Sequence, residues 1–468
     1  MSKDSKNINS TNTPQTNPLN TNPLAKHFNI KDLLTFALPS VLVIVSMSIF
    51  GIIDGFFVAN YVGTAAFAAV NLMIPVLIGF GAVGFMLGAG GSAIVAKTLG
   101  EGKAGLANTY FSLIIVYFTL FGVIISALGF LFTPEIAIAL GSEGELLESC
   151  VVYGRILFAI TPSFILQQAF LSFFSVVNKP NLSFQISLIA GLCNVVLDFV
   201  LIVVCELGIL GAAVATAVAW LIAGMFPLVY FMRKSEVALR LDILQGLKAI
   251  KAHSVILFRT CMNGSSEMVS QLSLSLVNIL YNYQLMRLVG QDGIAAFGVV
   301  MYLNIIFCAL FRGYSIASSQ TISFQYGAGD KRELASLLQK SLAIMAVCGV
   351  GVFVFCQAFA KPLSYIFVSY DESLLELTAS ACKIYGIAYI FMGLNIWTSA
   401  FFTALNNGVV SAIIAFLRTF VFQVLCVLIL PLFLGINGIF GAVIVAEFLS
   451  FLVILYYLAT QRTKYGYV

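Results

Sequence analysis

Twelve apolar stretches, each long enough for a helix to cross a bilayer core of roughly 30 Å, dominate this chain. They fall approximately at 33–58, 66–93, 108–131, 151–177, 182–205, 209–232, 255–286, 294–322, 335–359, 379–405, 409–434 and 437–459. Inside lipid the backbone has no water to bond, so only helices and closed barrels can span it, and continuous apolar runs of this length select helices. With 60% hydrophobic and 9% charged side chains, the chain lies far from the soluble average of about 25% charged. The expected fold is an all-α polytopic membrane protein.

The loops carry charge in alternation. Lys26, Lys31, Lys97, Lys103, Lys179, Arg233, Lys248, Lys331, Arg332, Arg462 and Lys464 fall on one side, whereas Glu135, Glu143, Glu145, Asp371, Glu372 and Glu376 fall on the other. The positive-inside rule then places both termini in the cytoplasm. Residues 1–31, rich in Asn, Thr and Pro, read as a disordered cytoplasmic tail.

The sequence repeats itself at an offset of 227. Gly63 aligns with Gly290, Gly100 with Gly327, Gly102 with Gly329, Gly208 with Gly435 and Gly211 with Gly438. Each repeat holds six spans, an even number, so the halves share one orientation and are related by a pseudo-two-fold along the membrane normal. This divides the chain into an N-lobe at 32–232, a cytoplasmic linker at 233–254, a C-lobe at 255–460 and a cytoplasmic tail at 461–468. Parallel repeats with a cleft between them suit alternating access, so transport is the leading reading.

Ionisable groups at membrane depth cost at least about 2.5–3.5 kcal/mol each, which makes them candidate site residues. In the first half these are Asp54, Arg155 and Asp198. Asn194 lies one turn before Asp198 and shares its helix face, and Thr216 in the next span can face both. Two carboxylates with amide and hydroxyl oxygens form a hard-cation or proton site, Na⁺ being held at Asp54, Asn194 and Asp198. The second half contributes Glu267, Arg312, Arg418 and Glu447. Glu267 serves either as a substrate or second proton group, with Arg155 and Arg312, or as an N-terminal residue stabilised by its helix dipole. Arg418 and Glu447 can pair. The repeat places Tyr281 and Leu425 opposite Asp54 and Asp198, so the ion chemistry is expected mainly in the first half.

Other chemistries are poorly supplied. There are two His, so proton transfer must rest on buried carboxylates. The nine Cys are scattered without a C-x-x-C pair and read as packing residues. A formal charge of +4 is too small and dispersed for nucleic-acid binding. A membrane-embedded enzyme would need a catalytic cluster or a sizeable extramembrane domain, and a flippase of lipid-linked saccharides would need more buried Arg than Arg155, Arg312 and Arg418.

Four segments carry a family resemblance: PSVLVIVSMSIFGIIDGFFVANYVGTAAFAAVNLMIP, GSAIVAKTLGEGK, NVVLDFVLIVVCELGILGAAVATAVA and QTISFQYGAGDKRE. At these residues the chain resembles the multidrug and toxic compound extrusion (MATE) family, in its bacterial multidrug-exporter branch. The resemblance implies antiport of cationic or lipophilic drugs and dyes against Na⁺ or H⁺ in a bacterial inner membrane, by a monomer with no cofactor beyond the coupling ion. It also implies a cation site at Asp54, Asn194, Asp198 and Thr216. Some members use a carboxylate of the seventh span, which Glu267 matches imperfectly, and their partner Asp in the tenth span is missing here.

Overall fold

The computed structural model describes residues 23–233, 239–369 and 371–467. The tail expected at 1–31 and the linker expected at 233–254 therefore lie partly outside the described residues. Every apolar stretch becomes a helix. In the first half these are α1 (Ile30–Val62), α2 (Thr64–Gly100), α3 (Ala104–Leu131), the short α4 (Thr133–Ala139), α5 (Gly144–Val176), α6 (Pro180–Val204) and α7 (Gly208–Met232). The second half begins with α8 (Ile243–Leu288), α9 (Gln291–Ala328), α10 (Lys331–Val368), α11 (Glu372–Gly386) and α12 (Tyr389–Ala404). It closes with the stretch Gly408–Tyr465.

Nine of the described helical stretches are long and apolar enough to cross a membrane by themselves. The remainder of the twelve follow from three local features. Gly435 breaks the last stretch with φ 56° and ψ −132°, a conformation closed to most L side chains, and gives two spans, α13 (408–434) and α14 (436–465). Helices α11 and α12 form one span bent by 48°. Helix α8 falls short on hydropathy because its sequence, FRTCMNGSSEMVSQLSLSLVNILYNY, is the most polar of the spans. The fold is two lobes of six spans.

The helices overshoot the apolar runs because polar residues beyond each run satisfy the open backbone groups of the first turn. Asn29 accepts from the Asp32 N–H at 2.8 Å while Asp32 reaches back to Asn29, a reciprocal cap. Asp242, Asp330, Asp371 and Asn407 cap α8, α10, α11 and α13 in the same way. At His253 (φ −131°, ψ 24°) α8 is kinked, so the basic linker is itself helical from Ile243 and turns into the membrane where the sequence ends it.

The lobes meet through glycines at the face that carries the described chain ends. A Cβ on Gly100 would come within 2.0 Å of the Phe324 carbonyl oxygen, and one on Gly327 within 2.0 Å of the Lys97 carbonyl oxygen. Residues 97 and 324, like 100 and 327, are separated by the repeat offset, so α2 and α9 exchange the same contact across the pseudo-two-fold. Further in, Gly90 faces the Thr260 carbonyl of α8, and Gly264 faces that of Met86. The backbones therefore stay in contact along about 15 Å of α2.

One expectation is corrected here. The stretch 23–31, read as part of a disordered tail, is packed against the opposite lobe: Leu24 and Phe28 are buried. Gln325 Nε2 donates to the Leu24 carbonyl at 2.9 Å, the Phe28 N–H donates to Glu333 Oε1 at 3.0 Å, and His27 also meets Glu333. Two apolar side chains in a polar stretch suffice to anchor it.

Candidate functional site

In the N-lobe a cavity of about 230 Å³ is walled by α1, α2, α5, α6 and α7. Asp54 faces it from α1, just before a π-helical turn at Val58–Val62, and Asp198 immediately precedes a second such turn at Phe199–Val204. A π-turn breaks the regular 3.6-residue rhythm, and such turns recur at functional sites. Asp54 and Asp198 are immediate neighbours, with the Thr216 hydroxyl beside Asp54. Asn194, one turn before Asp198, lines the same cavity. The four residues read from the sequence are thus brought together.

Most of their polar atoms are buried without a well-formed hydrogen bond. Asp54 Oδ1, both oxygens of Asp198, Asn194 Nδ2 and Thr216 Oγ1 are closed from solvent and make no hydrogen bond of regular geometry among the described residues. Leaving such groups unsatisfied is costly, and no basic side chain lines the cavity. A positive species entering here would find oxygens whose bonding capacity is unused. Tyr153 of α5 was missed in the sequence: its phenol lies in the field of both carboxylates and beside Thr216. The stacked Phe164 and Trp220 rings, 4.2 Å between centroids, complete the wall.

The C-lobe holds a second cavity, also of about 230 Å³. Its charges are paired. Arg312 Nη2 lies 3.3 Å from Glu267 Oε2, and Nη1 donates to Gln271 Oε1 at 3.1 Å. Arg418, within a third π-helical turn (Leu417–Val421), donates through Nε to both oxygens of Glu447 at 2.9 Å. Asn395 Nδ2 donates to Glu447 Oε2 at 2.7 Å. Gln271 and Asn395 belong to this network and were not singled out in the sequence, where nothing distinguishes them from other amides; Tyr281, the repeat counterpart of Asp54, lines the same cavity and donates to Gln423 Oε1 at 3.1 Å.

Two placements differ from expectation. Glu267 lies about four turns past the kink at His253, in the middle of its span, so the helix-dipole role does not apply. It stands at the lobe junction, since the Arg312 guanidinium lies over the Phe85 ring of α2 at 5.4 Å and both residues line a small cavity with Gln168 and Ser172 of the N-lobe. Arg155 does not join Glu267 and Arg312. It is exposed on α5, stacked over Phe130 at 5.7 Å, because an arginine near a span end is better solvated outside the bundle.

Similar proteins share the two-lobed fold. A family model described as MatE matches residues 39–200 and 268–429, one match in each half. A multidrug export protein MepA of Staphylococcus saprophyticus subsp. saprophyticus is 24% identical over 422 residues, covering 88% of either chain. Among solved structures, a MATE in complex with MaL6 superposes with a TM-score of 0.88 at 21% identity, over 94% of this chain and 98% of that one. The outward-facing conformation of a multidrug resistance MATE family transporter of the MOP superfamily gives a TM-score of 0.87 at 20% identity, with the same coverage. These likenesses extend to the whole two-lobed fold.

Proposed function

The chain belongs to the MatE family, and from that premise we propose that it is a secondary active multidrug efflux transporter, exchanging cationic or lipophilic organic compounds for Na⁺ or H⁺ by alternating access. Its relatives described as multidrug export proteins support the cargo class. We place it in the inner membrane of a bacterium with the glycine-sealed face in the cytoplasm, on the side of the basic loops. The lobes at 32–232 and 255–460 are the moving bodies, joined by the linker at 233–254, which is helical from Ile243.

The observation that carries this reading is the cluster of buried oxygens at Asp54, Asp198 and Thr216, which make no hydrogen bond of regular geometry and meet no basic side chain in the cavity wall. A proton or Na⁺ bound there relieves the mutual repulsion of two adjacent carboxylates, so the occupied and empty lobes prefer different helix packings. Coupling then follows as a population shift, because an ion can move the equilibrium only by its differential affinity for the two states. The π-turns beside both aspartates are the places where α1 and α6 can lose or gain one residue of register.

Everted vesicles loaded with a fluorescent organic cation provide the test. D54N and D198N are each expected to bring gradient-driven movement of the dye to the level of vesicles without the protein, and full activity in both would overturn the coupling role. Imposing a Na⁺ gradient and a pH gradient separately identifies the ion.

A further inference from the structure

We propose that Arg418 docks an anionic group of the transported molecule, so that the C-lobe cavity takes zwitterionic aromatic compounds with the carboxylate toward Arg418 and the protonated amine toward Glu267. Arg418 has five N–H donors in a planar fork and commits only Nε, to the two oxygens of Glu447. Its two Nη groups have no protein partner among the described residues. They are not sealed within protein either, for Arg418 lines the cavity and its side chain keeps 14% of its surface. Glu447 is 2% exposed and fully engaged by Arg418 and Asn395, so it fixes the guanidinium plane and leaves the outer edge of the fork free. A carboxylate matches that edge with two parallel N–H···O bonds, which a lysine could not reproduce.

Charge balance selects the zwitterion. The cavity wall holds two guanidiniums, Arg312 and Arg418, and two carboxylates, Glu267 and Glu447. A free carboxylate or a simple cation would add one net charge to this balanced wall, whereas a zwitterion adds none, so the zwitterion is the cargo that uses both ends of the cavity. Glu267 gives only Oε2 to Arg312, and its Oε1, without a protein partner, faces an ammonium. Tyr281 and Phe297, stacked at 4.7 Å, and Tyr385 supply the aromatic wall. The N-lobe cavity, with two carboxylates and no basic residue, fits a positive ion instead.

The substrate class rests on the efflux reading, but the docking site is testable by binding alone. The probes are a fluorescent aminomethyl-naphthoic acid, zwitterionic at neutral pH, and its methyl ester, a cation of nearly the same shape. Equilibrium dialysis against the purified full chain in detergent compares the wild type with R418K, which keeps the charge but loses the fork, and with R418Q/E447Q, which removes both charges and leaves neither group unpaired. Loss of a bidentate charged contact is expected to weaken binding of the acid about tenfold or more in both variants, while the ester keeps its affinity. E267Q should weaken both probes alike, because they share the amine. The proposal is overturned if the wild type binds acid and ester equally, or if the Arg418 variants weaken both to the same extent. Arg418-dependent binding of the acid, with no efflux of either probe from vesicles, would retain the site and reject the efflux reading.

Discussion

The two lobes enclose cavities of about 230 Å³ each, and each cavity is associated with two carboxylates, yet the charges are arranged in opposite ways. Asp54 and Asp198 face each other with no basic partner, whereas Glu267 and Glu447 are each held by an arginine. A buried charge without a counterion is a demand that an ion can meet, and a buried ion pair is a demand already met. The N-lobe thus holds adjacent acids with no basic partner in the cavity wall, and the C-lobe holds ion pairs of fixed geometry. Duplication supplied one scaffold, and divergence of a few side chains gave its two halves opposite charge arrangements.

The difference is sharpest in stability. R418M should cost about 3–5 kcal/mol, since it strands Glu447, 2% exposed, as an uncompensated buried carboxylate. D198N should have the opposite sign or no effect, because it removes one of two adjacent buried acids. Thermal unfolding of the detergent-solubilised chain would check both. A loss of similar size in the two variants would mean that Asp198 is as firmly partnered as Glu447, and the contrast between the lobes would fail.

Where the lobes touch they should behave alike. G100V and G327V each force a branched side chain against a carbonyl 2.0 Å from the new Cβ, an overpacking that costs about 1–3 kcal/mol. The pseudo-two-fold predicts equal penalties, within about 0.5 kcal/mol, with transport reduced in both. Unequal penalties, read from the same unfolding experiment, would show that the reciprocal contact is not energetically symmetric.

The sequence made some of this contrast legible and hid the rest for physical reasons. Asp54 and Asp198 stand out because few carboxylates occur at membrane depth, and the helical period links Asn194 to Asp198. Tyr153 carries no such mark, being one phenol among 18 tyrosines whose role depends on which way α5 faces. Glu267 and Arg312 were readable as charged residues, but the partnership across 45 positions is a product of packing between α8 and α9. The ion pairs shift the expected emphasis on the first half, since the C-lobe carries more of the connected polar network. The spans were legible from the length and spacing of the apolar runs, the polar α8 least so, but their true ends were not, because residues such as Asn29 and Asp330 extend the helices beyond those runs.

The smallest expected effect concerns the ligand set of the N-lobe. Thr216 Oγ1 is buried, makes no hydrogen bond of regular geometry among the described residues and stands beside Asp54, so under the proposed coupling it either completes the shell of the ion or only fills space. T216V has almost the same volume and no hydroxyl, which separates the two roles. Losing one oxygen contact to a bound ion is worth about 1 kcal/mol, or roughly fivefold in affinity. Gradient-driven efflux should therefore need about five times the driving ion concentration for half its rate, with an unchanged rate at saturation. D54N differs in kind, because no concentration of ion should restore it. If T216V matched the wild type, the ion shell would be confined to Asp54, Asp198 and Asn194. If T216V were as inactive as D54N, the hydroxyl would be part of the coupling step itself, and the N-lobe site would be built from three elements, α1, α6 and α7, rather than two.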